Sequence, residues 1–176
     1  MRLKIAVKVC YHMTNDLGGV CAMDKTDLKI LNALQTDARI SLKALADQCF
    51  ISSPAISARI SRLKSSGIIR DYQANLNYQK LNYRIKAYIQ LQLEPTQKER
   101  FYPFVESIPN ILECDCVTGE YSQILKVIFE STQELDDFVN QLQTFGKTST
   151  QIVFSTSVPN RGFKLPDDHD TSHIVD

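Results

Sequence analysis

The hydrophobic period of this chain changes near its middle, and that change limits which folds the chain can adopt. After Asp24 the apolar residues Leu28, Leu31 and Leu34 recur at helical spacing. In residues 84–93 apolar and polar residues alternate strictly, which is typical of a strand with one buried face. The chain is therefore predicted to be an α+β protein with two small domains, a helical one followed by a sheet-containing one.

The first part is predicted to contain three helices, the last two joined by a very short turn. Ser41 can cap the second helix, and the pair Ser52 and Ser53 can cap the third. Pro54 fits the first turn of the third helix, and Gly67 ends it. This arrangement predicts a helix-turn-helix. Residues 68–76 are predicted to form a hairpin, the wing of a winged helix-turn-helix.

The third helix is predicted to expose a flat face opposite its buried stripe of Ile56, Ile60 and Leu63. Such a face can approach the floor of the DNA major groove, where Ser reaches base edges and Arg takes a guanine or a phosphate. A helical bundle with solvated Ser and Arg side chains is the alternative. The candidate DNA-contacting residues are Arg39, Ser41, Lys43, Ser52, Ser53, Pro54, Ser57, Ala58, Ser61, Arg62 and Arg70.

Charge is divided unevenly along the chain. The 20 basic and 20 acidic residues balance, but residues 1–74 carry 11 Lys and Arg against 6 Asp and Glu, whereas residues 75–176 carry 9 against 14. The basic excess is concentrated in residues 39–70, where Asp47 alone opposes six cations. Such a patch favours a polyanion as partner, although charge alone fits a solvated helical surface equally well.

The second part is predicted to contain six elements in the order strand, helix, strand, strand, helix, strand. The strands are placed at 84–93, 111–118, 123–129 and 151–157, and the capping box that begins at Ser131 opens the second helix. This order is the βαββαβ ferredoxin-like arrangement, with two helices on one face of four antiparallel strands. We expect another subunit's sheet to cover the other face, which is predicted to include Tyr88, Ile111, Val117, Ile124 and Ile128.

Residues 24–73 closely resemble the amino-terminal domain of the Lrp/AsnC, or feast/famine, family of transcription factors. The resemblance is carried by Asp27, Ile30, Leu31, Asp37, Ala38, Arg39, Leu45, Ala46, Ser52, Ile56, Arg59, Leu63, Gly67 and Ile69, and continues through VTGEYSQILKVIF and DDFVNQL to about Val158. It implies a dimer, often assembled into an octamer, that binds promoter DNA and an amino acid or related effector. It also implies an effector cleft bordered by Thr118, Gly119, Glu120, Tyr121 and Ser122, with Thr150 from the last strand.

The chain departs from this family pattern at two positions. Ser122 stands where the family commonly carries Asp, so a carboxylate that could hold an effector's ammonium group is lost. Glu120 could replace it, or the regulator could act without a ligand. Asn82 stands where the linker usually ends in Gly, and Asn tolerates a left-handed backbone better than most residues.

These patterns divide the chain into five expected segments. They are a flexible amino-terminal extension (1–22), a winged helix-turn-helix domain (23–74), a linker (75–83), a βαββαβ dimerisation and effector domain (84–158) and a flexible carboxy-terminal tail (159–176). Met23 is a natural first residue, so residues 1–22 are either a mobile extension or the product of an upstream start site.

Other function classes find little support in the residues. The histidines lie in the terminal segments and no nucleotide-binding glycine pattern occurs, so we predict no enzymatic activity, no cofactor and no metal site. Cys114 and Cys116 are interpreted as packing residues rather than as a redox pair. His169 and His173 are interpreted as part of a polar tail. No apolar stretch reaches membrane-helix length, so we expect a cytoplasmic protein. A metabolite-binding module whose helical head contacts protein is the alternative function.

Overall fold

The structure is a computed structural model, and it describes residues 23–165. Its elements are α1 (Lys25–Thr36), α2 (Leu42–Cys49), α3 (Ser53–Ser65), β1 (Ile85–Leu93), α4 (Lys98–Ser107), β2 (Ile111–Cys116), β3 (Gln123–Phe129), α5 (Thr132–Leu142) and β4 (Gly146–Ile152). They form two compact units. The first contains α1–α3 and extends to Asn75, and it also includes residues 158–165; the second is Leu76–Ser157. The α+β prediction is confirmed.

The first unit is a three-helix cluster whose ends are capped as the sequence predicts. The hydroxyl of Ser41 accepts a hydrogen bond from the backbone N–H of Ala44 at 3.1 Å, and that of Ser52 accepts from Ala55 at 3.4 Å. Phe50 makes the turn between α2 and α3 in the left-handed conformation, with φ 57°. The helices enclose an apolar core of Ile30, Leu31, Leu45, Ala46, Ile56, Leu63 and Ile69.

The segment after α3 differs from the predicted hairpin. Residues 66–77 contain no strand, so the two wing strands predicted over 68–76 were wrong. Gly67 turns the chain with φ +75°, and the Ile69 N–H then donates to the Leu63 carbonyl at 3.0 Å. Ile69 is buried in the three-helix core. The apolar residue that suggested a strand therefore closes the end of α3 instead.

The second unit is a four-stranded antiparallel sheet in the order β2-β3-β1-β4. The alternation in β1 is confirmed, because Ala87, Ile89, Leu91 and Leu93 are buried beneath the helices. The last strand begins at Gly146, five residues before the predicted start. Its sequence GKTSTQI lacks an apolar alternation, and a side chain at Gly146 would collide with the backbone carbonyl of Gln92.

One residue of the predicted open face lies on the helix side instead. Ile111 packs against the core beneath α4 and α5, because the pairing of β2 with β3 shifts register between Ile111 and Glu113. Such an irregularity changes the face on which side chains lie, and strict alternation cannot foresee it. Tyr88, paired with Lys126, is 37% exposed. That a second subunit covers this face remains a prediction.

The segment 159–165, expected to be flexible, instead lies along α1, where the backbone of Leu165 is hydrogen-bonded to Asn32. Residues 1–22 and 166–176, with His169 and His173, lie outside the described residues. Asn82 takes the left-handed conformation with φ 71°, as its position at the linker end requires. Within residues 23–165, every helix is too short or too polar to span a bilayer.

Candidate nucleic-acid interface and effector site

The exposed side of α3 carries the small residues that the sequence assigns to DNA contact. Pro54, Ser57, Ala58 and Ser61 are all exposed, whereas Ile56 and Leu63 on the opposite side are completely buried. The spacing of these four residues places them on one face of the helix. The exposed face of α3 is therefore shallow and polar, and it carries no acidic side chain.

The remaining candidates are Arg39, Ser41, Lys43, Ser52 and Ser53, at or near the amino-terminal ends of α2 and α3, and Arg70, which follows the carboxy-terminal end of α3. Arg39, Lys43 and Arg70 are exposed, and Ser53 is half-buried. Ser41 and Ser52 are exposed and already serve as helix caps. A capping hydroxyl oxygen accepts one backbone N–H but keeps its own hydrogen free to donate to a phosphate. Helix amino-termini also attract anions through their unpaired N–H groups.

A buried carboxylate binds α3 to the start of α1. Asp27 is 0% exposed, and its two oxygens lie 2.9 Å from Nη1 of Arg59 and 2.5 Å from Nη2 of Arg62. The same Nη1 of Arg59 is 2.7 Å from Oδ2 of Asp24. Arg62 is therefore oriented by an intramolecular ion pair, which the sequence assignment of Arg62 to DNA did not include. The signal was an acid within the apolar stripe of α1, because buried acids require cationic partners.

The Asp24 side chain joins this cluster by capping α1. Burial alone would raise the pKa of Asp24, but hydrogen bonds from the Asp27 backbone and the Arg59 guanidinium hold that pKa below its ordinary value. The hydrogen bonds to Asp27 and then Asp24 raise the pKa of Arg59. A lowered carboxyl pKa contributes stability that is present above about pH 4 and is lost as the pH falls through the lowered value. The Asp24 carboxyl and the Arg59 guanidinium are therefore both charged at neutral pH.

The turn between β2 and β3 meets the beginning of β4. Nζ of Lys147 lies 3.5 Å from Oε1 of Glu120 and 5.9 Å from the centre of the Tyr121 ring. Both charged side chains are largely exposed, at 65% and 64%. Lys147 is absent from the predicted site residues because the sequence pattern predicts the last strand only from residue 151, which places Lys147 in a loop. Gly119 makes this turn with φ 120°, beside the exposed Thr118.

Ser122 fastens this turn to β1. Its hydroxyl accepts from the Leu93 N–H at 3.2 Å, and its own N–H donates to the Leu91 carbonyl at 3.0 Å. Thr150 pairs with Ile89 and lies three residues along β4 from Lys147. Because side chains alternate along a strand, Thr150 and Lys147 lie on opposite faces of the sheet. The described contacts thus join Glu120 and Tyr121 to Lys147 rather than to Thr150.

Cys114 contacts the core as a small apolar side chain. Its Sγ is 3.8 Å from Oε1 of Gln123, and burial, followed by nearby Asp115 and Cys116, raises the pKa of the Cys114 thiol to about 11. A thiol with so high a pKa is protonated at neutral pH and is a poor nucleophile. Within residues 23–165 no group of metal-ligating side chains comes together.

Two family descriptions match this chain. "Winged helix-turn-helix DNA-binding" matches residues 23–70, and "Lrp/AsnC ligand binding domain" matches residues 86–163. The uncharacterised HTH-type transcriptional regulator YezC of Bacillus subtilis is 37% identical over 135 residues, which cover 77% of this chain and 96% of YezC.

Two of the similar solved structures contain an amino acid. The feast or famine regulatory protein of Mycobacterium tuberculosis complexed with L-methionine is 27% identical and has a TM-score of 0.77. The match covers 82% of this chain and 100% of the chain of that regulator. A transcriptional regulator of Neisseria meningitidis in complex with L-methionine is 26% identical, with a TM-score of 0.75 over 88% of this chain and 100% of its own. The identity with YezC over nearly its full length, the two matched family descriptions and the shared fold show that this chain belongs to the Lrp/AsnC family of helix-turn-helix transcriptional regulators.

Proposed function

We propose that this regulator reads a pseudo-palindromic promoter site with the exposed face of α3 and responds to an amino acid at the turn of residues 118–122. The observation that carries the DNA part is the shallow, acid-free face of α3, which belongs to the same unit as the exposed cations Arg39, Lys43 and Arg70. A face of small residues allows the helix to enter the major groove, and surrounding cations meet phosphates.

The proposed DNA contacts fall into two classes. Ser57, Ala58 and Ser61 face the base edges, whereas Arg39, Lys43 and Arg70 meet phosphates. Arg62 pairs with Asp27 and would donate its remaining N–H groups to the phosphates of the DNA backbone at the edge of α3. Ser41, Ser52, Ser53 and Pro54 form the helix ends that approach the phosphates. Two half-sites about one helical turn apart, or a multiple of it, follow from a dimer.

The proposed assembly is a dimer joined through the sheet units, able to associate further into an octamer, in the cytoplasm. Two residues on the open face of the sheet support it, because the half-buried Ile124 and the exposed Tyr88 would be covered by a second sheet. The proposed segment boundaries are those of the sequence analysis, except that the carboxy-terminal tail is docked as far as Leu165.

Salt dependence tests the DNA proposal. On a promoter fragment located by genomic footprinting, we expect the affinity of the full chain to fall about 1,000-fold between about 50 and 200 mM salt, because several phosphates are contacted. Arg39→Ala should lower the salt slope by about 1, whereas Arg84→Ala, which removes an exposed cation from the other unit, should leave it unchanged. A head that binds protein through apolar contacts would give a nearly flat salt dependence, and that result would contradict the proposal.

The effector proposal places charged groups at both ends of a free amino acid. The Glu120 carboxylate would take the ammonium group, and the Lys147 ammonium would take the carboxylate, each replacing the long ion pair between these two exposed side chains. The methionine complexes of the two related regulators support an amino acid as ligand. Thr118, Gly119, Tyr121 and Ser122 complete the proposed site, whereas Thr150 lies on the other face of β4 from Lys147 and is not part of it.

Calorimetry with each of the twenty amino acids tests this proposal. We expect at least one to bind, and Glu120→Gln to weaken that binding about tenfold or more, because a charge-assisted hydrogen bond is lost. Glu113→Gln is the matched control, since Glu113 forms a similar 3.4 Å pair with Lys126 in the same sheet. Failure of all twenty to bind, or equal weakening by both substitutions, would contradict the assignment.

A further inference from the structure

The carboxy-terminal part of the described chain returns to the DNA-binding unit. Residues 158–165 belong to the same compact unit as α1–α3. The backbone N–H of Leu165 donates to Oδ1 of Asn32 at 2.8 Å, and Nδ2 of Asn32 donates to the Leu165 carbonyl at 2.9 Å. One side-chain amide therefore satisfies both backbone groups of one residue, as a neighbouring strand would.

Two further contacts fit this segment to α1. The Leu165 side chain is half-buried and packs against the apolar core of the three helices. Gly162 lies so close to Gln35 that a Cβ at position 162 would collide with the Gln35 side chain. The segment therefore follows the carboxy-terminal half of α1 closely, and its sequence suits that path.

We propose that residues 158–165 form a strap that restrains the DNA-binding unit, and that Asn32 is its latch. The DNA-binding unit consists of two pieces of chain with the whole sheet unit, Leu76–Ser157, between them. The strap is covalently continuous with the sheet unit at residues 157 and 158, so its noncovalent docking on α1 adds a second connection to the one at residues 75 and 76. A second tether reduces the set of positions that the DNA-binding unit can sample.

The small number of latch contacts makes the strap releasable. Two hydrogen bonds and one half-buried side chain hold it, whereas α1–α3 share a continuous apolar core. Segments with few buried contacts open much more often than the whole domain unfolds. The exposed residues Arg161 and Lys164 place two trypsin sites within the strap, so its release can be followed chemically.

Hydrogen exchange of the full chain tests the latch without any DNA. We expect the exchange rate of the Leu165 amide to be at most about one tenth of its rate in a free peptide of residues 158–168, because this amide donates to Asn32. Asn32→Ala should bring that rate to within about twofold of the peptide and should speed tryptic cleavage after Lys164 by about tenfold. Gln48→Ala, which changes an exposed amide on α2, is the matched control and should change neither rate.

A second variant tests whether the effect of Asn32→Ala comes from the strap rather than from damage to α1. Gly162→Val alters the strap alone and places its side chain against Gln35, so it should release the strap as Asn32→Ala does while the α1 amides keep their protection. Equal Leu165 exchange in the wild type and both variants would overturn the proposal. Protection of Leu165 that rises with protein concentration would also overturn it, because the strap would then come from a second copy.

The restraining role rests on the proposed DNA binding and has its own readout. Inserting about five base pairs, half a helical turn, between two half-sites should weaken DNA binding by the wild type about tenfold or more. The same insertion should weaken DNA binding by the Asn32→Ala and Gly162→Val variants about threefold or less. Equal losses in the three proteins would overturn the restraint. If none of them binds DNA, the proposed function fails, and the exchange measurement alone decides the strap.

Discussion

Replacing both Arg59 and Arg62 by Ala is expected to lower the free energy of unfolding of the DNA-binding unit by about 3–5 kcal/mol. The double substitution removes both guanidinium groups that pair with the Asp27 carboxylate, which is 0% exposed in the wild-type protein. A buried charge that loses its partners retains the full cost of leaving water. Urea unfolding of the full chain, followed by NMR signals from α1–α3, measures this loss.

A third substitution separates the buried charge from simple loss of contacts. Adding Asp27→Ala to the arginine double variant should recover most of the lost stability, because no unpaired buried charge then remains. Lys126→Ala is the control, since its partner Glu113 is 53% exposed and such a surface pair contributes less than about 1 kcal/mol. A triple variant as unstable as the double variant would show that Asp27 is not the source of the effect.

Ser61→Glu is expected to weaken promoter binding about 100-fold. The residue lies in the middle of the exposed α3 face that we propose to enter the major groove, where a carboxylate would meet phosphates and base acceptors. Because Ser61 is exposed, the free energy of unfolding should change by less than about 0.5 kcal/mol. Electrophoretic mobility shift at fixed salt measures the first quantity and urea unfolding measures the second.

Ser61 tests the DNA interface more cleanly than Arg62 does. Arg62 pairs with buried Asp27, so its removal changes stability and binding together. Gln141→Glu adds the same charge at an exposed position of α5 in the other unit and serves as the control. If Ser61→Glu and Gln141→Glu bind the promoter equally well, the exposed side of α3 is not the reading surface.

The two hydrophobic periods and the capping residues were sufficient to predict α1–α3, β1, β3 and α5. These signals are local, because a helical stripe or a serine cap acts within a few residues of itself. The exposed face of α3 followed from the same helical period, because it lies opposite the buried apolar stripe. The resemblance to the Lrp/AsnC family, which the comparisons confirmed, added the expectation that the turn around Glu120 borders an effector cleft, for which composition offers no chemical signal.

Contacts between residues far apart in the chain required the tertiary structure. Asp27 meets Arg59 and Arg62 across more than 30 residues, and Asn32 meets Leu165 across 133. Lys147 reaches Glu120 because an edge strand without an apolar pattern begins earlier than the sequence indicates.

The amino-acid sequence thus determined which segments form helices and strands and which side of α3 faces away from the core. Folding decided which charges neutralise one another, which core Ile69 and Ile111 each pack against, and where the carboxy-terminal segment docks. Periodicity reports the burial of one element at a time, whereas these pairings depend on how separate elements pack against each other.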